Sequence, residues 1–400
     1  MRTVKALLLE NIHSEANAIL TAAGVEVETR PGALGEDELI AALKGVDLLG
    51  IRSATQLTQR VLEASPHLLA AGCFCIGTNQ VNLKAAADLG IPVFNAPYSN
   101  TRSVVELALA EIIMLARHLV DKNHLMHAGV WDKSAKGSHE VRGHTLGIVG
   151  YGNIGSQLSV LAEALGMRVV FYDVVDRLAL GNARRCDTLE ELLAESDTVT
   201  LHVDGRKANT NFFGAEQFAM MKPRSTFLNL SRGSVYDPEA LLANLRSGHI
   251  AGAGLDVYPN EPRTAGDPFV SELQRVPNVI LTPHVGGSTQ EAQLDIGRYV
   301  AGKFLDHAAT GSTMMSVNLP QIQAPAFDGT RVLHMHHNVP GVMARLNQVF
   351  AEHEGNITYQ TLATEGQIGY AITDLSGKHP NIEQELAGLD ETIRVRVLTN

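Results

Sequence analysis

Apolar residues fall along this chain in two alternating textures: short unbroken runs, and longer stretches with apolar positions spaced three and four apart. The first texture is that of buried strands and the second that of amphipathic helices. Up to about residue 99, runs at 4–9, 46–51, 68–71 and 91–95 predict strands, and Ser14 opens a helix after the first. A periodic stretch over 103–118 predicts a long helix, with Ser103 and Glu106 at capping-box spacing. Strands are then expected at 145–149, 168–172, 198–203, 227–230, 251–257 and 279–282, with helices at 156–166, 189–193 and 238–247. Strict alternation of this kind builds parallel sheets covered by helices. A helix over 289–308 leads away from the second sheet and is expected to pack back on the first domain. Residues 318–325, which include Pro320 and Pro325, read as a linker. The remainder follows the order strand 331–335, helix 340–354, strands 356–362 and 369–375, helix 382–389 and strand 392–398. That βαββαβ order is the ferredoxin-like arrangement.

The expected organisation is therefore α/β throughout. A flavodoxin-like domain spans 1–99 and 287–320, a Rossmann domain over 100–286 is inserted in it, and a ferredoxin-like domain occupies 329–400. Chemistry is expected in the cleft between the first two.

Gly150-Tyr151-Gly152-Asn153-Ile154-Gly155 stands between the strand at 145–149 and a helix, and a second strand ends at Asp173. In a βαβ unit those glycines serve three needs: a tight turn, backbone approach to a pyrophosphate, and close helix–strand packing. Asn153 and Ile154 offer backbone N–H groups at the helix N-terminus, where phosphates are favoured. Asp173, about twenty residues on, suits a ribose diol. Val174 and Val175 follow it, with Arg177 further downstream, so NAD is expected rather than NADP.

Composition narrows the partners. A net charge of −11 argues against nucleic acid and anionic membranes, and any anionic ligand must rely on local cations. Cys73, Cys75 and Cys186 form no CxxC pair, which suits a reducing cytoplasm. The first ten residues resemble a strand rather than a secretory signal, and no apolar stretch is long enough for a bilayer.

Three polar segments follow strands of the second sheet: Leu230-Ser231-Arg232-Gly233, Asn260-Glu261-Pro262 and Pro283-His284-Val285-Gly286-Gly287. Ligands of open α/β sheets bind beyond the carboxyl ends of strands. His284 is a natural base near neutral pH, Glu261 could orient its ring, and Arg232 offers a forked cation for a carboxylate. With Ile76-Gly77-Thr78-Asn79, Phe94-Asn95-Ala96-Pro97 and Ser99-Asn100-Thr101-Arg102, these segments resemble the D-isomer-specific 2-hydroxyacid dehydrogenase family over nearly the whole chain. More narrowly, they resemble its branch with a C-terminal ACT domain.

The resemblance implies NAD-dependent oxidation of a 2-hydroxy acid, 3-phosphoglycerate, with Arg232, Glu261 and His284 catalytic. It places Leu230, Ser231, Asp256, Gly286 and Gly287 at the cofactor, and Arg52, Ser53 and Asn100 at the substrate. It further implies a homotetramer inhibited by L-serine, held by His336, Asn338 and Asn356 across paired ACT domains; no metal is implied. One departure is Ala54, where the family pattern has a second Arg after the Ser; Lys133, Lys136 or Arg142 could replace that cation. Ala54 keeps open reduction of 2-oxoglutarate or hydroxypyruvate instead. A non-enzymatic NAD-sensing protein is the remaining alternative, against which the complete Arg–Glu–His set speaks.

Overall fold

The computed structural model describes residues 3–262 and 266–400. They form two compact units, one of Met1–Ser99 with Gln293–Asn400 and one of Asn100–Ala292.

The first unit begins with strands β1 (Lys5–Leu8), β2 (Glu26–Thr29), β3 (Leu48–Ile51), β4 (Ala70–Cys73) and β5 (Val93–Asn95), alternating with helices α1 (Ser14–Ala22), α2 (Glu36–Ala42), α3 (Gln59–Glu63) and α4 (Leu83–Asp88). All five strands pair in parallel in the order β2-β1-β3-β4-β5. That is the flavodoxin-like order. β2 is absent from the apolar pattern because it lies at the sheet edge, with three of its four residues exposed. Backbone pairing with β1 holds it, helped by Val27 packing on the core and by the Lys5–Glu26 ion pair at 3.0 Å.

The second unit contains α5 (Thr101–Ala116), α6 (Leu119–His127), β6 (Thr145–Val149), α7 (Asn153–Ala164), β7 (Arg168–Tyr172), β8 (Arg184–Arg185), α8 (Leu189–Glu195), β9 (Thr198–Leu201), α9 (Ala215–Met220), β10 (Ser225–Asn229), α10 (Pro238–Ser247), β11 (Ile250–Leu255) and β12 (Val279–Leu281). Its seven parallel strands run β12-β11-β10-β9-β6-β7-β8. The chain reverses direction across the sheet between β6 and β9, the switch point where such sheets bind ligands. Phe213, Phe218, Phe227 and Tyr236 belong to one core cluster, and α5 and α7 bury Val105, Ile112 and Leu158 with Ile148 in another.

The helix expected from Ser103 begins earlier, at Thr101. Ser103 does not cap it: its hydroxyl bonds the Thr289 hydroxyl at 2.7 Å, while Glu106 pairs with Arg102. Asn100 occupies the N-cap position instead.

α11 (Gln290–Thr310) returns the chain to the first unit, where Ile296, Val300, Ala301 and Phe304 pack with Phe74 and Phe94. Gly72 makes room for Phe304 and Val300; a Cβ there would strike both. Residues 318–325 are no free linker. Asn318 accepts from the Val93 N–H at 2.8 Å and donates to the Ile91 carbonyl at 2.9 Å, and Leu319 and Ile322 are buried. The segment is strapped along the open edge of β5.

β13 (Thr330–His337), α12 (Val342–Glu352), β14 (Ile357–Glu365), β15 (Ile368–Leu375), α13 (Ile382–Ala387) and β16 (Thr392–Thr399) complete the chain. The antiparallel order β14-β15-β13-β16 is that of the ferredoxin-like arrangement. Arg331 is fully buried there and grips Asp374 through two bonds of 2.6 and 2.7 Å. Among the described residues, no helix is long and apolar enough to cross a membrane.

Candidate active site

The glycine turn after β6 has the geometry that its sequence requires. Gly150 adopts φ +93°, and a Cβ on it would meet the His202 carbonyl. A Cβ on Gly155 would strike the Gly150 carbonyl, so the first turn of α7 can lie this close to the strand only with glycine. Nothing stands within 4 Å of the missing Cβ of Gly152, which leaves the backbone open to approach. Asn153 and Ile154 begin α7 immediately behind it. Asp173 accepts from the Tyr151 N–H at 2.8 Å and the Val175 N–H at 2.9 Å. Each carboxylate oxygen keeps a lone pair for a further donor. Arg177 does reach this acid, with Nε 3.6 Å from Oδ2.

Three strand ends then supply the catalytic candidates. At the end of β10 the buried Asn229 side chain accepts from the N–H and hydroxyl of Ser231 and donates to the Arg232 carbonyl. This clamp fixes the turn from which Arg232 projects, with Leu230 buried beneath it. Beyond β11, the Tyr258 N–H donates to Glu261 Oε1 at 3.1 Å. Beyond β12, Asp256 accepts from the Thr282 hydroxyl, the Val285 N–H and the Gly286 N–H at 2.6, 2.8 and 2.7 Å. Those three bonds straddle His284 and hold it at φ +54°, a left-handed conformation that a non-glycine residue adopts only under constraint.

His284 Nδ1 lies 2.7 Å from Glu261 Oε2. The hydrogen bond raises the imidazole pKa against the opposing effect of burial, and the nearby Arg232 guanidinium tempers the rise. Burial pushes the Glu261 carboxyl up, but the bonds from His284 and the Tyr258 N–H, with Arg232 beside them, hold it below its ordinary value. An imidazole, a carboxylate and a guanidinium thus act on one another at adjacent strand ends. Asp256 is committed to the loop as well as being a cofactor candidate. Gly286 lies against it, and a Cβ on Gly287 would collide with Asn100.

Asn100 therefore belongs to this second unit, whereas Arg52 and Ser53 follow β3 in the first. Their loop is fixed by a residue the sequence pattern does not reveal. Glu10, at φ +62°, accepts from the N–H groups of Ala54 and Thr55 at 2.9 and 2.8 Å. Asn229 and Tyr258 were equally invisible, since nothing in the sequence marks a strand-end amide as a clamp.

The effector candidates do not converge within one chain. His336 is 2 % exposed, donates to the His337 carbonyl, and stacks on His334 at 5.5 Å. Its ring fills the space over Gly369 and has a buried Nε2 with no partner among the described residues. Asn338 lies just past the same end of β13 and donates to the Gly366 carbonyl. Asn356 sits by the opposite end, where its carbonyl accepts from the Ser376 N–H next to Leu375, the partner of Thr330. Six residue steps along the strand lead from Thr330 to His336, roughly 20 Å at the usual rise per residue.

The chain matches the family model for the D-isomer specific 2-hydroxyacid dehydrogenase NAD binding domain over residues 109–286, and that for an AHAS small subunit-like ACT domain over 332–396. It is 49% identical to a D-3-phosphoglycerate dehydrogenase of Haemophilus influenzae, covering 99% of this chain and 97% of that one. It is 48% identical to that of Escherichia coli, with the same coverage. Among solved structures, D-2-hydroxyisocaproate dehydrogenase superposes with a TM-score of 0.71 at 25% identity, over 79% of this chain and all of that one. A D-lactate dehydrogenase from Aquifex aeolicus, complexed with NAD and lactic acid, does so at 0.66 and 25% identity, over 76% and 95%.

Proposed function

The chain belongs to the D-3-phosphoglycerate dehydrogenases, NAD-dependent enzymes of the D-isomer specific 2-hydroxyacid dehydrogenase family, and from that premise we propose how its residues divide the reaction. NAD supplies the hydride acceptor when bound at the Gly150–Gly155 turn, with Asp173 on the ribose and Ser231, Asp256, Gly286 and Gly287 around the nicotinamide. His284 takes the hydroxyl proton of 3-phosphoglycerate at Nε2, because Nδ1 is engaged by Glu261. Glu261 fixes the ring and stabilises the imidazolium that forms. Arg232 binds the substrate carboxylate and the developing keto oxygen as a forked donor. Arg52, Ser53 and Asn100 bind the rest of the substrate. The product is 3-phosphohydroxypyruvate.

The observation that carries this reading is the 2.7 Å His284–Glu261 bond beside Arg232. Ala54 leaves the substrate loop without a second cation, which favours some reduction of unphosphorylated 2-keto acids such as 2-oxoglutarate or hydroxypyruvate as well. The separation of the effector residues along one ACT sheet favours an L-serine site assembled from two copies, within a tetramer. NADH consumption with phosphohydroxypyruvate, 2-oxoglutarate and hydroxypyruvate, each with and without L-serine, tests all of this. A kcat/KM for phosphohydroxypyruvate below that for the other two would refute the substrate assignment. Rates indifferent to L-serine would refute the effector.

A further inference from the structure

Glu111, in the middle of α5, is 1 % exposed, and neither of its carboxyl oxygens has a hydrogen-bond partner among the described residues. Its Oε2 occupies the space that a Cβ on Gly254 would need, so the acid lies directly against β11. Asp256 follows two positions later, and its N–H still pairs with the Asn229 carbonyl in the manner of the strand. Residues two apart on a strand present their side chains on one face. The two acids are thus neighbours with opposite endowments. Asp256 has three donors and is well suited to hold charge, whereas Glu111 has none. A second bare carboxylate in that place would be both desolvated and repelled. Burial, and then Asp256, push the Glu111 pKa up to about 8.

Among the described residues, no other charged group offsets this. The Tyr258 phenol is kept neutral by burial. On α5 itself Arg102 and Glu106 pair with each other. Of the groups on α6, Asp121 accepts from the Asn278 N–H and Lys122 pairs with Asp132. On α7, Glu163 accepts from the Asn182 N–H. β10 and β12 carry no charged residue.

We propose that Glu111 is a protonated acid behind Asp256 that ionises when the cationic ring of the oxidised cofactor binds, so that NAD binding releases a proton and NADH binding does not. This rests on the reading that puts Asp256 at the nicotinamide. The balance is simple: the O–H bond of the Glu111 carboxyl breaks, the proton passes to bulk water, and the new carboxylate joins Asp256 in compensating one positive ring. NADH brings no such charge, and Glu111 then keeps its proton. The residue is a positioning one, which sets the relative affinity for the two cofactor forms and hence the direction in which the enzyme is poised at a given pH.

Calorimetric titration of the whole enzyme near pH 8, in buffers of different ionisation enthalpy, counts the protons. With the pKa near the working pH the acid carries about half a proton, so release of up to about half a proton per site is expected on adding NAD, and distinctly less on adding NADH. Glu111→Gln, an uncharged mimic of the protonated acid, is expected to reduce the NAD value to that for NADH; any contribution from His284 is common to both proteins and cancels. Equal release with the two cofactor forms, or undiminished release in Glu111→Gln, overturns the proposal. If that variant does not fold, infrared difference spectra of the wild type decide: loss of a protonated-carboxyl band on adding NAD supports the proposal, and its persistence overturns it. Failure of NAD to bind at all would sink the cofactor reading and this inference with it, whereas binding without proton release sinks this inference alone.

Discussion

With Glu261 on Nδ1, the His284 ring has one nitrogen left for the substrate, and the pH behaviour follows from that single bond. If His284 is the base, as proposed, oxidation needs neutral imidazole. Because Glu261 raises the imidazole pKa, kcat/KM for oxidation should fall as pH drops through a value above the ordinary ~6.5. Reduction needs the imidazolium and should fall instead as pH rises through that value. Glu261→Gln removes the charge that raises the pKa, so the acid limb of the oxidation profile should shift to lower pH; an unmoved limb would detach Glu261 from this role. His284→Asn should cost about 10²- to 10⁴-fold in kcat, with NAD affinity retained by fluorescence titration. Arg232→Lys should weaken substrate far more than cofactor, because a point charge cannot reproduce a bidentate grip.

At the level of elements, what the sequence reveals depends on whether a residue acts through its own run or through a distant partner. β6 and β7 were legible because buried strands impose local composition; α7 was legible in kind but begins at Asn153, three residues before its expected start, and α10 was legible to its last residue because Asp237, Pro238 and Gly248 punctuate it. The start of α5 was not, since what occupies Ser103 is a hydroxyl 186 residues away. His284, Glu261 and Arg232 could be read from strand ends, but Glu10, Asn229 and Tyr258, which hold their loops, could not. Each of these contacts uses a backbone N–H or carbonyl on one side, which carries no side-chain signal. The Arg331–Asp374 pair belongs to the same class: two charges 43 residues apart that meet only when β13 and β15 align. Arg331 also donates to the carbonyls of Thr310 and Pro325, tying β13 to the end of α11. Arg331→Met should therefore destabilise by about 3–5 kcal/mol in urea denaturation, by stranding a buried carboxylate. Adding Asp374→Leu should recover much of that loss. A double variant no more stable than the single one would mean that the carbonyl contacts, not the ion pair, carry the energy.

For the whole molecule, a net charge of −11 means that an anionic substrate meets an unfavourable average field and must be drawn by local cations. If Lys133, Lys136 or Arg142 provides the missing phosphate contact, neutralising all three should raise KM for 3-phosphoglycerate by about tenfold, equivalent to some 1.4 kcal/mol, and leave unphosphorylated substrates unaffected. Equal effects on both would make the change one of general field. The ACT sheet poses the complementary problem, because its proposed effector residues lie at opposite ends of one four-stranded sheet and a single amino acid cannot span them. Two copies solve it if His336 and Asn338 of one face Asn356 of the other. His336→Ala and Asn356→Ala should then each abolish L-serine inhibition alone. Mixed oligomers carrying one defect per subunit should regain part of it, since a pairing of unlike subunits reconstitutes one intact site and confines both lesions to the other. A site built within one chain gives no such complementation, because every site in the mixture would then be defective.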